Sequence, residues 1–542
     1  MPRASSLSTW TTEIPANGVE LFERGERERP DDAALLYFET ALSFRAAGGL
    51  AHALAAALRE DLGLRAGDRV ALMLQNVPQM AIAVHAVWLA GGIVTTLNPM
   101  YRRAELEHQI GDAGAEIVFC LESLHEVVAE ARATAGVRQV VTVSELDFLD
   151  AVPDALAGHA RIECPDAVAI ADLLAAHAGE RVEPAAPAPG DPALLTYTSG
   201  TTGVSKGAIN THRAVVHNAA TMTRWYELGP GDVTVAMAPL FHITGLVCHL
   251  ATARFSLTPL LLGYRFEPGE LLRLIERWRG TYVIGPLTAF IAMLEHPDMA
   301  TRDLSSLTKV ASGGAPVNPA TVERWERATG AYVHNTYGLT ESAAPSHLVP
   351  FGARSPVDPE SGALSIGVPI YDTEARVVDI ENGAELGPGE IGEIVLRGPT
   401  VTPGYWQRPE ETAHALREGW LHTGDVGKRD TEGWFYVVDR IKDMIVASGY
   451  KVWPRDVEDV LFRHPAVREA SVVGVPDDYK GEAVRAYVAL RQGEDASEAE
   501  LVEHCRAALA AFKAPREVVF VDEIPKTLSG KALRRELRAR AD

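Results

Sequence analysis

In the first part of the chain, the spacing of hydrophobic residues alternates between the spacing typical of helices and that typical of strands. Residues 46–120 give an Ala/Leu-rich helix, the strand DRVALMLQN, the helix VPQMAIAVHAVWLAGG, the strand VTTLNP, the helix RRAELEHQIGDAG and the strand EIVFC. Such alternation predicts parallel βαβ units. The apolar run at residues 81–97 is interrupted by His85 and by Gly91-Gly92. We therefore expect a buried helix leading into a strand there.

The pattern changes further along the chain. A Pro/Ala-rich stretch at residues 183–192 predicts a loop, because helices and central strands both exclude that much proline. A second βα region follows to about residue 344, and hairpin signals such as Glu381-Asn382-Gly383 come after it. We predict an α/β fold: a large N-terminal domain (residues 1–441) of βαβ layers plus an antiparallel β subdomain, then a small α+β C-terminal domain (residues 442–542).

The composition excludes several classes of partner. Hydrophobic residues make up 47% of the 542 residues and charged residues 23%, which is typical of a globular protein. The net charge of −22 argues against nucleic acid and anionic membranes as partners, because both need clustered positive charge. The N-terminus lacks the apolar core of a secretory signal. No apolar stretch reaches the roughly 18–20 residues of a membrane span.

The cysteines have no spacing that suggests a site. Cys120, Cys164, Cys248 and Cys505 form neither a CxxC pair nor a set of metal ligands. We expect neither disulfides nor a zinc site, and a cytoplasmic location.

The strongest local signal is the segment TSGTTGVSKG at residues 198–207, which directly follows an apolar strand. Glycines let backbone N–H groups turn inward, hydroxyls add donors, and Lys206 adds positive charge. Together they predict a nest for polyphosphate oxygens. The segment lacks the GxxxxGK[ST] order of a Walker A loop. The alternative is an ordinary flexible Gly/Ser/Thr surface loop.

Two further motifs offer groups for a nucleotide. In NTYGLTE at residues 335–341, Tyr337 could stack on a purine, Thr340 could donate to a phosphate, and Glu341 could hold Mg²⁺. In WLHTGD at residues 420–425, Asp425 could grip a ribose diol, which Arg440 could also reach. Taken singly, these motifs and SGGAP at residues 312–316 are more typical of ordinary turns.

The set of motifs resembles a known family. TSGTTGVSKG, YGLTE, WLHTGD, DRIKDMIVASGYKV and PKTLSGK stand in the order found in the adenylate-forming superfamily, which contains acyl-CoA synthetases, peptide-synthetase adenylation domains and luciferases. The match spans residues 198–531. Two departures are Ser205, where proline is commoner, and Asp439, where many members have glycine.

The resemblance implies binding of ATP, Mg²⁺ and coenzyme A. The residues expected to bind ATP or AMP are Thr198, Ser199, Gly200, Thr201, Thr202, Gly203, Lys206, Gly314, Ala315, Pro316, Asn335, Thr336, Tyr337, Gly338, Asp425 and Arg440. Glu341 would hold the metal. Those expected to face the pantetheine arm of CoA are Ser448, Gly449, Tyr450 and Lys451.

The same resemblance implies a two-step reaction with a moving C-terminal domain. An acid and ATP would give acyl-AMP and pyrophosphate, and a thiol would then displace AMP. Lys531 would offset charge repulsion in the first step, assisted by Thr340 and Glu341. The small domain would rotate about a hinge at Lys442 between the two steps.

The acyl pocket is expected near Phe241, His242, Gly245, Ile284, Gly285 and Gly313. His242, which is counted with Lys531, Thr340 and Glu341 among the catalytic candidates, could gate this pocket, or it could be a satisfied core histidine. Because no lysine or aspartate stands there to pair with an ammonium group, we expect a medium- or long-chain fatty acid first and an aromatic or alicyclic acid second.

Three classes of function stay open. They are a CoA ligase, a loading enzyme for a separate acyl carrier protein, and a non-catalytic nucleotide sensor, which the presence of Glu341 and Lys531 disfavours. The basic tail could contact CoA phosphates or be a solvated helix end. Its residues are Arg534, Arg535, Arg538 and Arg540.

Overall fold

The structure is a computed structural model that describes residues 13–198, 205–359, 362–447, 450–477, 481–526 and 532–540. Several predicted site residues lie outside these ranges: Ser199, Gly200, Thr201, Thr202, Gly203, Ser448, Gly449 and Lys531. For Lys442, Tyr450 and Lys451 only the backbone is described.

Two largely parallel sheets are built from residues 33–369. The nine-stranded sheet contains β1 (Ala33–Tyr37), β2 (Thr40–Ser43), β10 (Thr234–Val235), β11 (Leu260–Leu262), β12 (Tyr282–Gly285), β13 (Lys309–Ser312), β14 (Val333–Leu339), β15 (Ala344–Leu348) and β16 (Val368–Pro369). The seven-stranded sheet contains β3 (Arg69–Met73), β4 (Ile93–Thr96), β5 (Ala115–Leu121), β6 (Gln139–Val143), β7 (Val168–Ala169), β8 (Pro192–Tyr197) and β9 (Gly207–Thr211).

The strand order shows how these sheets are built. The first runs β16-β15-β14-β13-β12-β10-β11-β1-β2 and the second β7-β6-β5-β3-β4-β8-β9. Strands β10 to β14 pair in parallel, whereas β15, β16 and β2 are antiparallel additions at the edges. In the second sheet β9 alone is antiparallel among the described strands. The predicted parallel βαβ architecture is confirmed.

Helices cover both sheets. They are α1 (Gly18–Glu28), α2 (Phe44–Glu60), α3 (Pro78–Leu89), α4 (Arg103–Ala113), α5 (His125–Ala135), α6 (Ile170–Ala176), α7 (His212–Trp225), α8 (Thr252–Ser256), α9 (Pro268–Trp278), α10 (Leu287–Glu295) and α11 (Pro319–Thr329). Every residue of α3 is buried, and β4 follows it, as the apolar run predicted. No helix in the described part of the chain is both long and apolar enough to span a membrane.

An antiparallel sheet follows the two parallel ones. Its strands are β17 (Glu374–Val378), β18 (Gly392–Arg397), β19 (Leu416–Arg417), β20 (Trp420–Arg429) and β21 (Phe435–Arg440), with α12 (Pro409–Ala415) before β19. The predicted turn at Asn382-Gly383 lies between β17 and β18, and Gly383 has a φ of 75° that favours glycine. The predicted hairpin region is confirmed.

The last unit has its own sheet and core. It contains β22 (Ile445–Ala447), β23 (Tyr450–Val452), β24 (Val467–Asp477), β25 (Gly481–Leu490) and β26 (Glu517–Phe520), with helices α13 (Pro454–Leu461), α14 (Glu498–Ala508) and α15 (Arg534–Ala539). Its buried core includes Ile445, Val472, Val488 and Leu501. The predicted α+β unit is present.

Candidate active site

A cleft of about 1770 Å³ gathers residues from several of the sequence motifs. Its lining includes Gly314, Ala315, Pro316, Asn335, Thr336, Tyr337, Gly338, Asp425 and Arg440. The first three follow β13 and the next four end β14, so they lie at the carboxyl ends of neighbouring parallel strands, where open α/β sheets bind ligands. The fold therefore brings the predicted adenosine-binding residues together.

Asp425 is fixed by two neighbours in this cleft. Tyr337 Oη donates to Asp425 Oδ2 at 2.6 Å, and Arg440 Nε contacts Oδ1 at 2.9 Å. Burial, and then the Asp425 charge, raise the pKa of Tyr337 well above its usual value, so this hydroxyl stays a donor. Each carboxylate oxygen keeps a second lone pair for a sugar hydroxyl. The arrangement suits recognition of a ribose diol.

Glu341 is held just beyond β14, in the short 3₁₀ helix Thr340–Ser342. Asn210 Nδ2 donates to the Thr340 carbonyl at 2.8 Å, and Thr402 N donates to the Glu341 carbonyl at 2.7 Å. Tyr405 Oη donates to Glu341 Oε1 at 2.8 Å. Among the described residues Oε2 accepts no hydrogen bond. A half-buried carboxylate with one committed oxygen fits a hard cation such as Mg²⁺.

The two ends of the predicted phosphate loop lie next to each other. Strands β8 and β9 are antiparallel, and Thr198 N donates to the Lys206 carbonyl at 3.0 Å. Ser205, where the family more often has proline, receives a hydrogen bond on its hydroxyl from Gln109 Nε2 at 3.2 Å. The serine therefore adds a polar contact that proline lacks.

The C-terminal unit contributes one wall of the cleft. Lys526 and Ala532, which stand on either side of the segment containing Lys531, form a β-bridge, and both line the cleft. Lys526 Nζ is paired with Glu469 at 2.6 Å. The chain on both sides of the predicted catalytic lysine therefore lies at the same cleft as the ribose-binding candidates.

In the basic tail, Arg534 neither faces solvent nor is placed to contact CoA phosphates, the two alternatives expected from the sequence. The Arg534 side chain is only 17% exposed and contacts Asp439 and Asp443 at 3.1 Å and Glu458 at 2.8 Å. Acidic groups at the end of β21, in the following turn and in α13 surround it. It is therefore neither solvated nor available for CoA phosphates, and both expectations are wrong for this residue. Arg535 and Arg538 do line the cleft.

The expected acyl-pocket residues have varied surroundings. His242 is exposed, so its interpretation as a core histidine is wrong; its Nδ1 lies 3.2 Å from Thr244 Oγ1. Glycines here allow close packing: a Cβ at Gly245 would lie 2.0 Å from the Pro239 carbonyl oxygen, and one at Gly285 would lie 2.3 Å from Met237 Sδ. Phe241 is half-buried, whereas Ile284 is buried.

Gly313 is packed in the same way. A Cβ there would lie 2.4 Å from Thr336 Oγ1. The glycines at these positions therefore accommodate neighbouring groups, and they are not evidence of empty space for a substrate.

Sequence reasoning missed several residues that support the site. Asn210, Thr402 and Tyr405 hold the segment containing Glu341, and they are 130, 61 and 64 positions away from the groups they bind by sequence numbering. None belongs to a local motif with recognisable chemistry. Their contacts arise only when β9 and the irregular segment after β18 both meet the 3₁₀ helix Thr340–Ser342.

Comparison with known proteins agrees with this geometry. Residues 22–406 match the family described as AMP-binding enzyme, and residues 456–531 match the AMP-binding enzyme C-terminal domain. The chain belongs to the AMP-binding enzyme family. The predicted membership of the adenylate-forming superfamily is confirmed.

Relatives are similar over nearly their whole length. A long-chain-fatty-acid–CoA ligase of Escherichia coli O157:H7 is 38% identical, with 96% of this chain and 94% of that protein covered. A feruloyl-CoA synthase of Amycolatopsis sp. is 37% identical, with 95% and 97% covered. Overall identity therefore does not distinguish a fatty acid from an aromatic acid.

Solved structures share the fold of this AMP-binding enzyme. ATP-bound MatB from Rhodopseudomonas palustris has a TM-score of 0.85 at 29% identity, covering 97% of this chain and 99% of that chain. A Mycobacterium tuberculosis fatty acyl CoA synthetase has a TM-score of 0.74 at 26% identity, covering 97% and 98%. The predicted fold class is confirmed.

Proposed function

We propose that this AMP-binding enzyme is an ATP-dependent long-chain acyl-CoA ligase. The observation that carries the proposal is the single cleft in which Tyr337, Asp425 and Arg440 meet the chain segments on both sides of Lys531. It would place an adenosine, an α-phosphate and a lysine side by side. The full-length similarity to long-chain-fatty-acid–CoA ligases supports the same function.

The chemistry proceeds in two steps. A carboxylate oxygen of the acid forms a bond to the α-phosphorus of ATP, and pyrophosphate leaves with the electron pair of the broken P–O bond. The thiol of CoA then adds to the acyl carbon of the adenylate, loses its proton, and expels AMP. Activation is needed because AMP is a far better leaving group than oxide.

Residues of the chain have separate roles in this scheme. Tyr337 and Asp425 bind the adenosine, Lys206 contacts the β- and γ-phosphates, and Thr340 donates to the α-phosphate. Glu341 would hold Mg²⁺, which when bound neutralises phosphate charge. Lys531 offsets the repulsion between the incoming carboxylate and the α-phosphate.

The small domain takes part in both steps. We place the hinge at Lys442, so that rotation withdraws Lys531 after adenylation and lets Ser448, Gly449, Tyr450 and Lys451 face the pantetheine arm. The antiparallel strand β21 ends at Arg440, immediately before this point, and the separate core of the last unit begins at Ile445. A rotation there must separate Trp453 from Val426 and Val438, which form one small buried cluster across this point.

Product mass spectrometry tests the function. The enzyme would be incubated with ATP, Mg²⁺ and a panel containing octanoate, palmitate, oleate and ferulate, with and without CoA. We expect palmitoyl-CoA and oleoyl-CoA together with AMP. Feruloyl-CoA as the main product would overturn the choice of acid. Acyl-adenylate that accumulates in the presence of CoA, and is consumed by an acyl carrier protein, would overturn the choice of acceptor.

A further inference from the structure

Tyr405 links the two charged groups expected to face the ATP phosphates. Its hydroxyl donates to Glu341 Oε1 at 2.8 Å, and the Lys206 ammonium lies 5.0 Å from its ring centroid. The first contact is a hydrogen bond to a charged acceptor, and the second is a cation–π interaction. One aromatic side chain therefore contacts both a metal-ligand candidate and a phosphate-binding candidate.

The backbone of Tyr405 is anchored to the strand that leaves the phosphate loop. Tyr405 pairs with Ala208 of β9 in an antiparallel bridge, and Trp406 N donates to the Gly207 carbonyl at 2.8 Å. Tyr405 N also donates to Thr412 Oγ1 at 2.9 Å. These bonds fix the backbone of Tyr405 relative to β9, so the starting point of its side chain is set independently of Glu341.

The hydroxyl acts as a donor throughout the working pH range. A phenol ordinarily loses its proton only near about pH 10, and Tyr405 Oη donates to Glu341 Oε1. The carboxylate oxygen that accepts this hydrogen bond is thereby oriented, and the other oxygen is left for a cation. Among the described residues no ion pair joins Lys206 to Glu341. Instead, the Tyr405 hydroxyl contacts Glu341 and the Tyr405 ring contacts Lys206.

We propose that Tyr405 is a positioning residue: it orients the Glu341 carboxylate toward the divalent cation that accompanies ATP and keeps the Lys206 ammonium from pairing with that carboxylate. The inference rests on the proposed function. Without the hydroxyl, Glu341 can rotate toward the Lys206 ammonium, which contacts the same tyrosine ring, and cation binding must then compete with that ion pair.

Tyr405→Phe tests the hydroxyl while it keeps the ring. Mn²⁺ binding to the complex of the enzyme with a non-hydrolysable ATP analogue would be followed by electron paramagnetic resonance, which needs no turnover. We expect Mn²⁺ affinity to fall about tenfold, the usual cost of losing a hydrogen-bonding partner beside a metal ligand. The Mg²⁺ concentration for half-maximal pyrophosphate release should rise by a similar factor, while the KM for the fatty acid stays unchanged.

Tyr436→Phe is the matched control. Tyr436 Oη donates to Asp430 Oδ2 at 3.0 Å in the antiparallel sheet, and neither residue lines the cleft. The same chemical group is removed from the same kind of bond, so this variant should bind Mn²⁺ as the unmodified enzyme does. Equal weakening in both variants would reduce the role of Tyr405 to general stability and overturn the inference.

A second variant, Glu341→Gln, tests whether Tyr405 affects cation binding through Glu341. In Glu341→Gln the acceptor is uncharged, so adding Tyr405→Phe should cause little further loss of Mn²⁺ affinity. If Tyr405→Phe still lowers Mn²⁺ affinity about tenfold in the Glu341→Gln enzyme, the proposal is overturned. It is also overturned if Tyr405→Phe alone binds Mn²⁺ as tightly as the unmodified enzyme does. Failure of the unmodified enzyme to form any acyl-adenylate would instead contradict the proposed function, so the two failures are distinguishable.

Discussion

Asp439→Asn should shift the balance between the two half-reactions, because Asp439 is bonded across the proposed hinge. It precedes Lys442, yet its carboxylate oxygens contact Arg534 Nη1 at 3.1 Å and the backbone N–H of Arg455 at 2.9 Å, both beyond that residue. Rotation of the small domain about the hinge must break these bonds. Asp439 therefore stabilises the arrangement in which Lys526 and Ala532, on either side of Lys531, line the cleft.

The magnitude follows from which bonds cross the hinge. Arg534 keeps its ion pairs with Glu458 and Asp443 both before and after the rotation, because all three residues lie beyond the hinge. Replacing a charge-assisted bond of about 1.5–3 kcal/mol by a neutral one of about 0.5–1.5 kcal/mol leaves a difference of about 1 kcal/mol. Burial raises the pKa of Asp439, so desolvation offsets part of its attraction, and we take the lower end.

A loss of about 1 kcal/mol changes the equilibrium between the two arrangements about fivefold. Because each half-reaction uses one arrangement, the ratio of the adenylation rate to the thioester rate should fall by that factor, whichever arrangement is the more populated. Single-turnover pyrophosphate release measures the first rate. Acyl-CoA formation from supplied acyl-adenylate measures the second.

Asp358→Asn is the control, because it removes a buried charge whose ion pair does not cross the hinge. Asp358 pairs with Lys428 at 2.9 Å, and both residues precede the hinge. This variant should lose stability but keep the rate ratio. An unchanged ratio in Asp439→Asn, or the same change in both variants, would refute the reasoning.

Four other outcomes are expected. Lys531→Ala should largely abolish adenylation while thioester formation from supplied acyl-adenylate stays nearly intact; normal adenylation would contradict the role of this lysine. Lys442→Pro should slow the thioester step far more than adenylation, and equal loss would argue against rotation. Tyr337→Phe removes a bond to the ribose-site carboxylate and should raise the KM for ATP about tenfold, without changing the KM for the acid. Burial lowers the pKa of His212 and His249 to about 4. Because the unfolded chain then binds more protons between about pH 6.5 and 4, the free energy of unfolding should fall as pH drops through that window; urea titrations at several pH values would measure it, and a flat profile would contradict the assignment.

The local parts of the site were predictable because their chemistry is carried by consecutive residues. A phosphate nest needs glycines, hydroxyls and a lysine next to one another, so TSGTTGVSKG could be proposed as one without coordinates, and its role stays a prediction. The same holds for Tyr337, Thr340 and Glu341, which stand within five positions of the chain. The role of Asp425 was predictable only through the resemblance, because an isolated aspartate in a turn has no distinctive pattern.

The alternation of apolar segments likewise determined the fold class. Strands buried on both faces must be almost continuously apolar. The helix between two such strands brings the chain back to the starting edge, so that the next strand runs parallel to the previous one. Neither requirement says which strand neighbours which. The placement of β1 beside β11 and of β8 beside β4 comes from packing between segments far apart in the chain.

The sequence by itself therefore determined the βαβ architecture, the separate C-terminal unit and the residues that offer chemistry to ATP. The tertiary structure decided which partners hold those residues. Tyr405 meets Glu341 across 64 positions, Tyr337 meets Asp425 across 88, and Arg534 meets Asp439 across 95. Hydrogen bonds and ion pairs act over only a few ångströms, and the chain reaches such distances between remote residues only after its sheets have packed.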